Sequence, residues 1–573
     1  MNKAEAPEMS ASPFWLKLAA TIEGGLDRVA CSRAASLAAI VLVALICVLP
    51  GFFTLPPIDR DEPRFAQATH QMVETGNYFD IRFQDEARYK KPIGIYWLQS
   101  AAVWLTGTGP DAPIAVYRLA SLFGILAASC LTWWLAMAFG RPRLALLAGL
   151  LLASTVLVGV EARLAKTDAV LLATIVAAHG ALVRAWLADT RERSFKLAAI
   201  FWTALGVSIL IKGPVGVGAI LCPVVVLSIV RGSFSWLKRL APLPGFIWML
   251  IVVLPWFVAI GIASKGAFFQ EALGRDLLGK VSDVQESHGA PPGAYLLTFF
   301  FTFWPVAAYF STGFGWVLDQ LKRPTVLYAM ASVVPFWLAV EAMATKLPHY
   351  VLPLYPLIAL VTADVLDSGG IRRGFSGWFA RFAASGAALF PLALAIAAIV
   401  IAILLHEAMP IFGIAILIVA IAVGVASGRL FRISALASAM LAIATAALTY
   451  AGTLGVILPS FDMIRISENL VRTGRSDPAC PDPDFASAGF DEPSLVFVGG
   501  TNTLLVDGER AANFLGGGTC RVAFIEKRQL SGFSSRADDL GLTLKPLGVV
   551  KGYNINGGRM LELNVFLRGG AAP

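Results

Sequence analysis

Apolar runs of about 18 to 25 residues recur from residue 35 to residue 457, each long enough to cross roughly 30 Å of hydrocarbon as a helix. Such a chain cannot bury its apolar surface in one water-surrounded core. It must lay it against lipid and against neighbouring helices, with every backbone polar group paired inside its own segment. The composition agrees: 57% of the 573 residues are hydrophobic and only 15% are charged, against roughly 25% charged in soluble domains. The pattern predicts about thirteen spans, near 35–56, 114–139, 142–160, 168–187, 195–212, 214–230, 242–263, 293–315, 324–343, 350–366, 383–405, 410–427 and 433–457. The two that meet at Lys212-Gly213-Pro214 also read as one broken helix. Residues 1–34 read as a cytoplasmic amphipathic lead-in without a signal-peptide pattern.

The net charge of +8 is scattered between spans, which suits membrane orientation and contact with anionic lipid rather than nucleic acid. With a cytoplasmic N-terminus, the short cytoplasmic loops hold most of the Lys and Arg. One stretch breaks the pattern: Arg60, Arg64, Arg82, Arg88, Lys90, Lys91 and Arg118 fall on the opposite side. Charge retained on the unfavoured side implies chemistry or a phosphate ligand. Beyond residue 457 Pro, Asp, Gly and Ser rise, and short strands are expected at Leu495–Gly499, Val522–Ile525 and Leu561–Leu567. The reading is therefore a multi-span catalytic region (35–457) with outer loops at 57–113 and 264–292, then a small α/β domain (458–573) outside the cytoplasm. Cys480 and Cys520 are the only cysteines of that tail. In an oxidising compartment they are candidates for a disulfide, with two buried thiols as the alternative.

The densest polar stretch is residues 59–99, which opens with DRDEPR. Phe65, Ala68, Met72 and Val73 fall at helical spacing after Pro63, which predicts a short helix in the membrane surface with Thr69 and Glu74 outward. Asp61 and Glu62 stand where a helix N-terminus favours carboxylates. Capping alone would account for the two acids but not for Arg64, Arg82, Arg88, Lys90 and Lys91 in the same loop. A second cluster, Glu161, Arg163, Lys166 and Asp168, and a third, Lys346-Leu347-Pro348-His349-Tyr350, fall on the same side by span order. The 264–292 loop adds a fourth, with His288. Carboxylates among fixed cations suit general-base work and a phosphate-bearing ligand. Gly-rich nucleotide-binding patterns are missing.

DRDEPRFAQ, RYKKPIGIYWL, ARLAKTD and MATKLPHYVLPLYP together resemble the membrane glycosyltransferases of the GT-C fold. The branch in view is the lipid A aminoarabinose transferases, with their protein O-mannosyltransferase and galacturonosyltransferase relatives. That resemblance implies a membrane all-α GT-C fold in the bacterial inner membrane, with an active site facing the periplasm. It implies a sugar donor carried on polyprenyl phosphate and an acceptor in lipid A or lipopolysaccharide core. It assigns Asp61 as general base or acceptor-orienting group and Asp168 as a second essential acid, with Glu62 beside them. It assigns Arg64 and Lys91 to the lipid phosphate and Tyr350 near it; Lys90 and Lys346 join the candidate cations from their place in the polar clusters. Arg163, Lys166, His288 and His349 complete the candidate set. The branch can bind a metal through a glutamate before the motif lysine and a later histidine. Here Lys90 takes the first place and His288 alone matches the second, so no cofactor is required, with a divalent metal held another way as the disfavoured alternative. Protein O-glycosylation is the alternative acceptor chemistry, and a transporter or flippase of lipid-linked sugar is the alternative class.

Overall fold

The computed structural model describes residues 12–58, 60–189, 192–272, 274, 290–371 and 377–569. Among them, nine helices are long and apolar enough to cross a membrane, or up to eleven if two sharply bent pairs each count as one. The N-terminal helices are α1 (Pro13–Ala30), α2 (Arg33–Val48), α3 (Asp61–Thr75), α4 (Gly94–Thr106), α5 (Ile114–Ala136), α6 (Pro142–Ala153), α7 (Val156–Ala162), α8 (Asp168–Leu187), α9 (Phe195–Lys212), α10 (Val215–Arg231) and α11 (Pro242–Ala263). The later long helices run Pro324–Glu341, Pro348–Asp367, Phe382–Leu404, Ile411–Leu430 and Ala435–Ser460.

Nine of the spans expected from the sequence correspond to these long helices. The other four depart from that pattern for visible reasons. The first follows another helix at a sharp angle, with α1 and α2 bent by 118°. The third bends by 62° between α6 and α7, where Ser154 and Thr155 turn their hydroxyls onto the carbonyls of Leu151 and Leu152. The stretch 293–315 divides into Ala294–Thr302 and Ala307–Asp319, with Pro305 between them. The stretch 214–230 forms α10, a separate 17-residue helix after Gly213-Pro214.

Two glycines let the helices around the polar clusters close up. A Cβ on Gly124 of α5 would lie 2.8 Å from the backbone of Ala169 in α8. One on Gly94 of α4 would lie 2.8 Å from the Leu210 carbonyl oxygen in α9. The second contact brings the start of α4, just after Lys90 and Lys91, against the end of α9 that carries Lys212. Burying α3 on both faces also corrects one expectation. Thr69 points inward and is fully buried, with its hydroxyl 2.6 Å from Gln99 Oε1 of α4, whereas Glu74 is exposed.

The C-terminal region holds a five-stranded sheet in the order β4-β3-β5-β7-β6, with a β1–β2 hairpin (Arg82–Phe83, Glu86–Ala87) lying earlier in the chain. Strands β3 (Asp484–Ala488), β4 (Leu504–Val506) and β5 (Arg521–Glu526) run parallel, and β6 (Leu544–Asn554) and β7 (Arg559–Arg568) close the sheet antiparallel. The expected strands at 522–525 and 561–567 lie within β5 and β7. Residues 495–499 are instead part of the helix Pro493–Gly499, because Pro493 at its first turn presets a helical φ. Cys480 and Cys520 are bonded, which fastens the segment before β3 to the start of β5.

Candidate active site

The site begins with two adjacent acids that point different ways. Successive helix residues diverge by about 100°, so Asp61 and Glu62 at the start of α3 cannot share a face. Half of the Asp61 side chain is accessible. Glu62 is fully buried and takes a bidentate grip from Arg118 of α5, at 2.7 and 2.9 Å. Arg118 in turn donates to the carbonyls of Phe52, Leu55 and Pro56. The Ala165 amide donates to Glu62 at 3.0 Å. Glu62 thus ties the start of α3 to the chain before it and to the turn before α8. Its placement in this sealed joint corrects the expectation of a catalytic carboxylate.

Arg163 is reassigned on the same ground. It is buried and donates to the carbonyls of Pro50 (2.7 Å), Gly159 (2.5 Å) and Cys47 (2.5 Å). Those bonds lock the end of α2 to α7. Neither partner set could be read locally, since the carbonyls lie more than a hundred residues from Arg163 except for that of Gly159.

The remaining polar groups converge. Asp168 opens α8 and pairs with Lys212 at the end of α9, Nζ to Oδ1 2.5 Å. Lys212 Nζ lies 5.9 Å from the centre of the Tyr350 ring. Glu161 is buried 3.9 Å from both Lys166 Nζ and His349 Nδ1. Lys166 and His349 act electrostatically on both Asp61 and Asp168, so the two carboxylates share one neighbourhood. Arg64 stands 3.4 Å from Asp61. Lys346 is half-buried and donates to the Met343 carbonyl at 2.7 Å. Lys90 and Lys91 are half-buried in the turn that leads into α4. His288 and most of the 264–292 loop lie outside the described residues.

Two cations join the cluster beyond those proposed from sequence. Lys212 is one. Arg88 is the other: it is 8% exposed, and its guanidinium lies 4.9 Å from the Phe65 ring centre. Its Nε is buried with no hydrogen-bond partner among the described residues. The sequence signal for both was available, as a cation in an acid-rich loop and a cation at a helix break, but their partners come from other parts of the chain. Burial alone would push the Asp61 carboxyl up, yet Arg88, Lys166 and Arg64 around it prevail and hold it below its ordinary value. Asp61 is therefore ionised at neutral pH. Among the described residues no three His, Cys, Asp or Glu side chains gather as a metal would require, and Lys90 in protonated form offers no lone pair.

The chain is a multi-pass membrane protein: a helical bundle that carries this polar cluster, followed by a C-terminal sheet domain. The family model for dolichyl-phosphate-mannose-protein mannosyltransferase matches residues 68–270. The undecaprenyl phosphate-alpha-4-amino-4-deoxy-L-arabinose arabinosyl transferase of Yersinia pestis (strain Pestoides F) is 24% identical over 335 residues, 57% of this chain and 59% of that protein. Its counterpart in Pectobacterium atrosepticum is 25% identical over 332 residues, 56% of this chain and 57% of that protein. The chain thus matches less than two thirds of the length of these curated relatives. The crystal structure of ArnT from Cupriavidus metallidurans bound to undecaprenyl phosphate superposes with a TM-score of 0.72 at 16% identity, covering 93% of this chain and 97% of that one. The apo form of the same protein gives 0.71 at 17% identity, covering 92% and 97%. The chain has the fold of ArnT.

Proposed function

We propose that this protein is a membrane glycosyltransferase that moves a sugar from a polyprenyl-phosphate donor to lipid A or lipopolysaccharide core at the periplasmic face of the bacterial inner membrane. The observation that carries this reading is one half-accessible carboxylate, Asp61, kept ionised inside a ring of cations. A sugar phosphodiester already holds a leaving group, so the protein must orient an acceptor hydroxyl and stabilise the departing phosphate. In the proposed step the acceptor O–H hydrogen-bonds to Asp61 and gives up its proton there as its oxygen bonds to the anomeric carbon. The bond from that carbon to the phosphate oxygen breaks, and the lipid phosphate leaves with the electron pair. Arg64, Arg88 and Lys91 serve as the cations that receive that charge. Asp168 acts one step removed, by holding Lys212 and its ammonium beside Tyr350. One displacement at one carbon inverts its configuration.

An open apolar groove of about 510 Å³ runs between α5, α8 and α9, lined by Leu131, Ala173, Ala177, Ile200 and Val207 among others. Ala173 and Val207 each lie five residues from Asp168 and Lys212 along their helices, so the groove starts under the charged cluster and suits the donor's prenyl chain. The names of the curated relatives and the undecaprenyl phosphate bound in the ArnT crystal structure support an undecaprenyl-phosphate donor. The test is transfer by purified protein in proteoliposomes, with undecaprenyl-phospho-aminoarabinose, a uronic acid analogue and a hexose analogue offered in turn to lipid A. Expected is turnover of one donor with inversion at the anomeric carbon. No turnover of any donor with lipid A, but transfer to a protein hydroxyl, would replace the acceptor class.

A further inference from the structure

Besides contacts of Met463 with Glu407 and Arg465 with Thr54, the C-terminal domain makes two sets of polar contacts with the stretch around Asp61. Glu492, only 3% exposed in its side chain, accepts from Arg60 Nε at 3.1 Å and from Arg60 Nη2 at 2.9 Å. Asn554 and Asn556 also donate to the same carboxylate, at 3.1 and 3.2 Å, and Asn556 reaches the Ile58 carbonyl at 3.3 Å. A second fastening lies beyond Asp61. The Thr501 hydroxyl accepts from Gln67 at 2.9 Å and donates to Glu74 at 2.9 Å. Gln84 Nε2 donates to the carbonyls of Thr501 and Thr503, at 2.9 and 2.6 Å. Phe497 packs edge-on against Tyr117 of α5, ring centres 5.6 Å apart. These contacts bracket Asp61 from residue 58 to residue 84, and Arg60 is its immediate neighbour.

We propose that the C-terminal domain positions the Asp61 loop, with Glu492 as the positioning residue that fixes Arg60 and hence the first turn of α3. The proposal rests on Asp61 being the acceptor-orienting group. The junction itself argues against an acceptor site: the cavity there, between Pro57, Glu468, Glu492 and Asn554, is about 40 Å³, room for a water or two but not for a sugar ring. A buried carboxylate that accepts four charge-assisted or amide hydrogen bonds is rigid, and a loop one residue away inherits that rigidity.

The experiment compares full-length wild type, Glu492→Gln and Glu492→Asp in detergent. It measures donor and acceptor KM, kcat, and amide hydrogen exchange along the chain. Loss of alignment at a reacting centre costs about ten- to a hundredfold in rate. Expected is a kcat fall of that size for Glu492→Gln with both KM values within about twofold. Exchange should rise over 58–66 but not over 168–187, and Glu492→Asp should recover part of both. Unchanged kcat and unchanged exchange would overturn the proposal. So would faster exchange throughout the chain, which is general loosening, or a raised acceptor KM at constant kcat, which is an acceptor site. If wild type transfers no sugar, the transferase reading falls, and exchange at 58–66 alone then decides whether the clamp stands.

Discussion

Two clusters of acids and bases sit at opposite ends of this bundle, and they are built differently. At the end away from the C-terminal domain, Asp364 is fully buried between Arg141, Arg323, Thr325 and Ser368. Asp367 beside it pairs with Arg141 and Arg143, and Arg143 reaches Asp27 of α1 at 3.2 Å. Each Asp364 oxygen meets more than one donor. At the Asp61 end, Arg64 comes no closer than 3.4 Å and half of the carboxylate side chain is accessible. The residue types are the same. Full burial of Asp364 among its donors marks the first cluster as architecture, locking loops between spans; the exposure of Asp61 marks the second as a place a ligand can reach.

The largest expected contrast is between Asp61→Asn and Asp364→Ala. The first removes a proton acceptor and should lower kcat by about 10²- to 10⁴-fold, with no change in melting temperature in detergent. The second strips Arg141 and Arg323, each about a third exposed, and the buried Thr325 of their shared acceptor, at a cost of about 1–3 kcal/mol. It should depress melting while the folded fraction transfers sugar normally. Reversal of these two outcomes would invert the comparison.

Arg88→Gln sharpens it. Loss of a charged hydrogen-bond donor is worth about 1.5–3 kcal/mol, so donor KM should rise about ten- to a hundredfold. Arg88 is also one of the cations that hold the Asp61 carboxyl below its ordinary value. Without it the carboxyl titrates at higher pH, and the acid limb of kcat/KM should move up. An acid limb that stays in place would separate Arg88 from Asp61. Lys212→Met should cost less in rate than Asp61→Asn, because it removes the partner of Asp168 and leaves the proposed proton acceptor in place, and Lys212→Arg should restore part of it. The smallest effect on rate is expected from reducing Cys480–Cys520. Opening a loop of 40 residues removes about 4 kcal/mol on a chain-entropy model. This should appear as earlier melting of the sheet domain with little change in transfer at 25 °C.

Much of this plan is legible in the sequence because its main signals are local. Apolar length defines a span, and Asp61 and Asp168 announce themselves as acids at span ends. What was not legible depends on partners remote in the chain. Glu62 and Arg163 look like site residues until Arg118 and the carbonyls of Cys47 and Pro50 claim them. Lys212 reads as a helix-break residue until Asp168 is placed beside it. Thr69 reads as outward on a surface helix until α4 covers that face. Residues 495–499 carry a strand's composition, but Pro493 starts a helix. The span at 293–315 has enough apolar residues in total, yet it divides around Pro305, whereas 214–230 stays one helix set off from α9 at Gly213-Pro214.

The most direct test of the central claim joins the site to the product. Cells lacking this protein would be complemented with wild type or Asp61→Asn at equal membrane abundance, and their lipid A and core weighed by mass spectrometry. Wild type should restore a single added sugar, and the variant none. An equal increment with Asp61→Asn, or identical lipid A and core in all three strains, would contradict the assignment of Asp61 and of the transferase reaction.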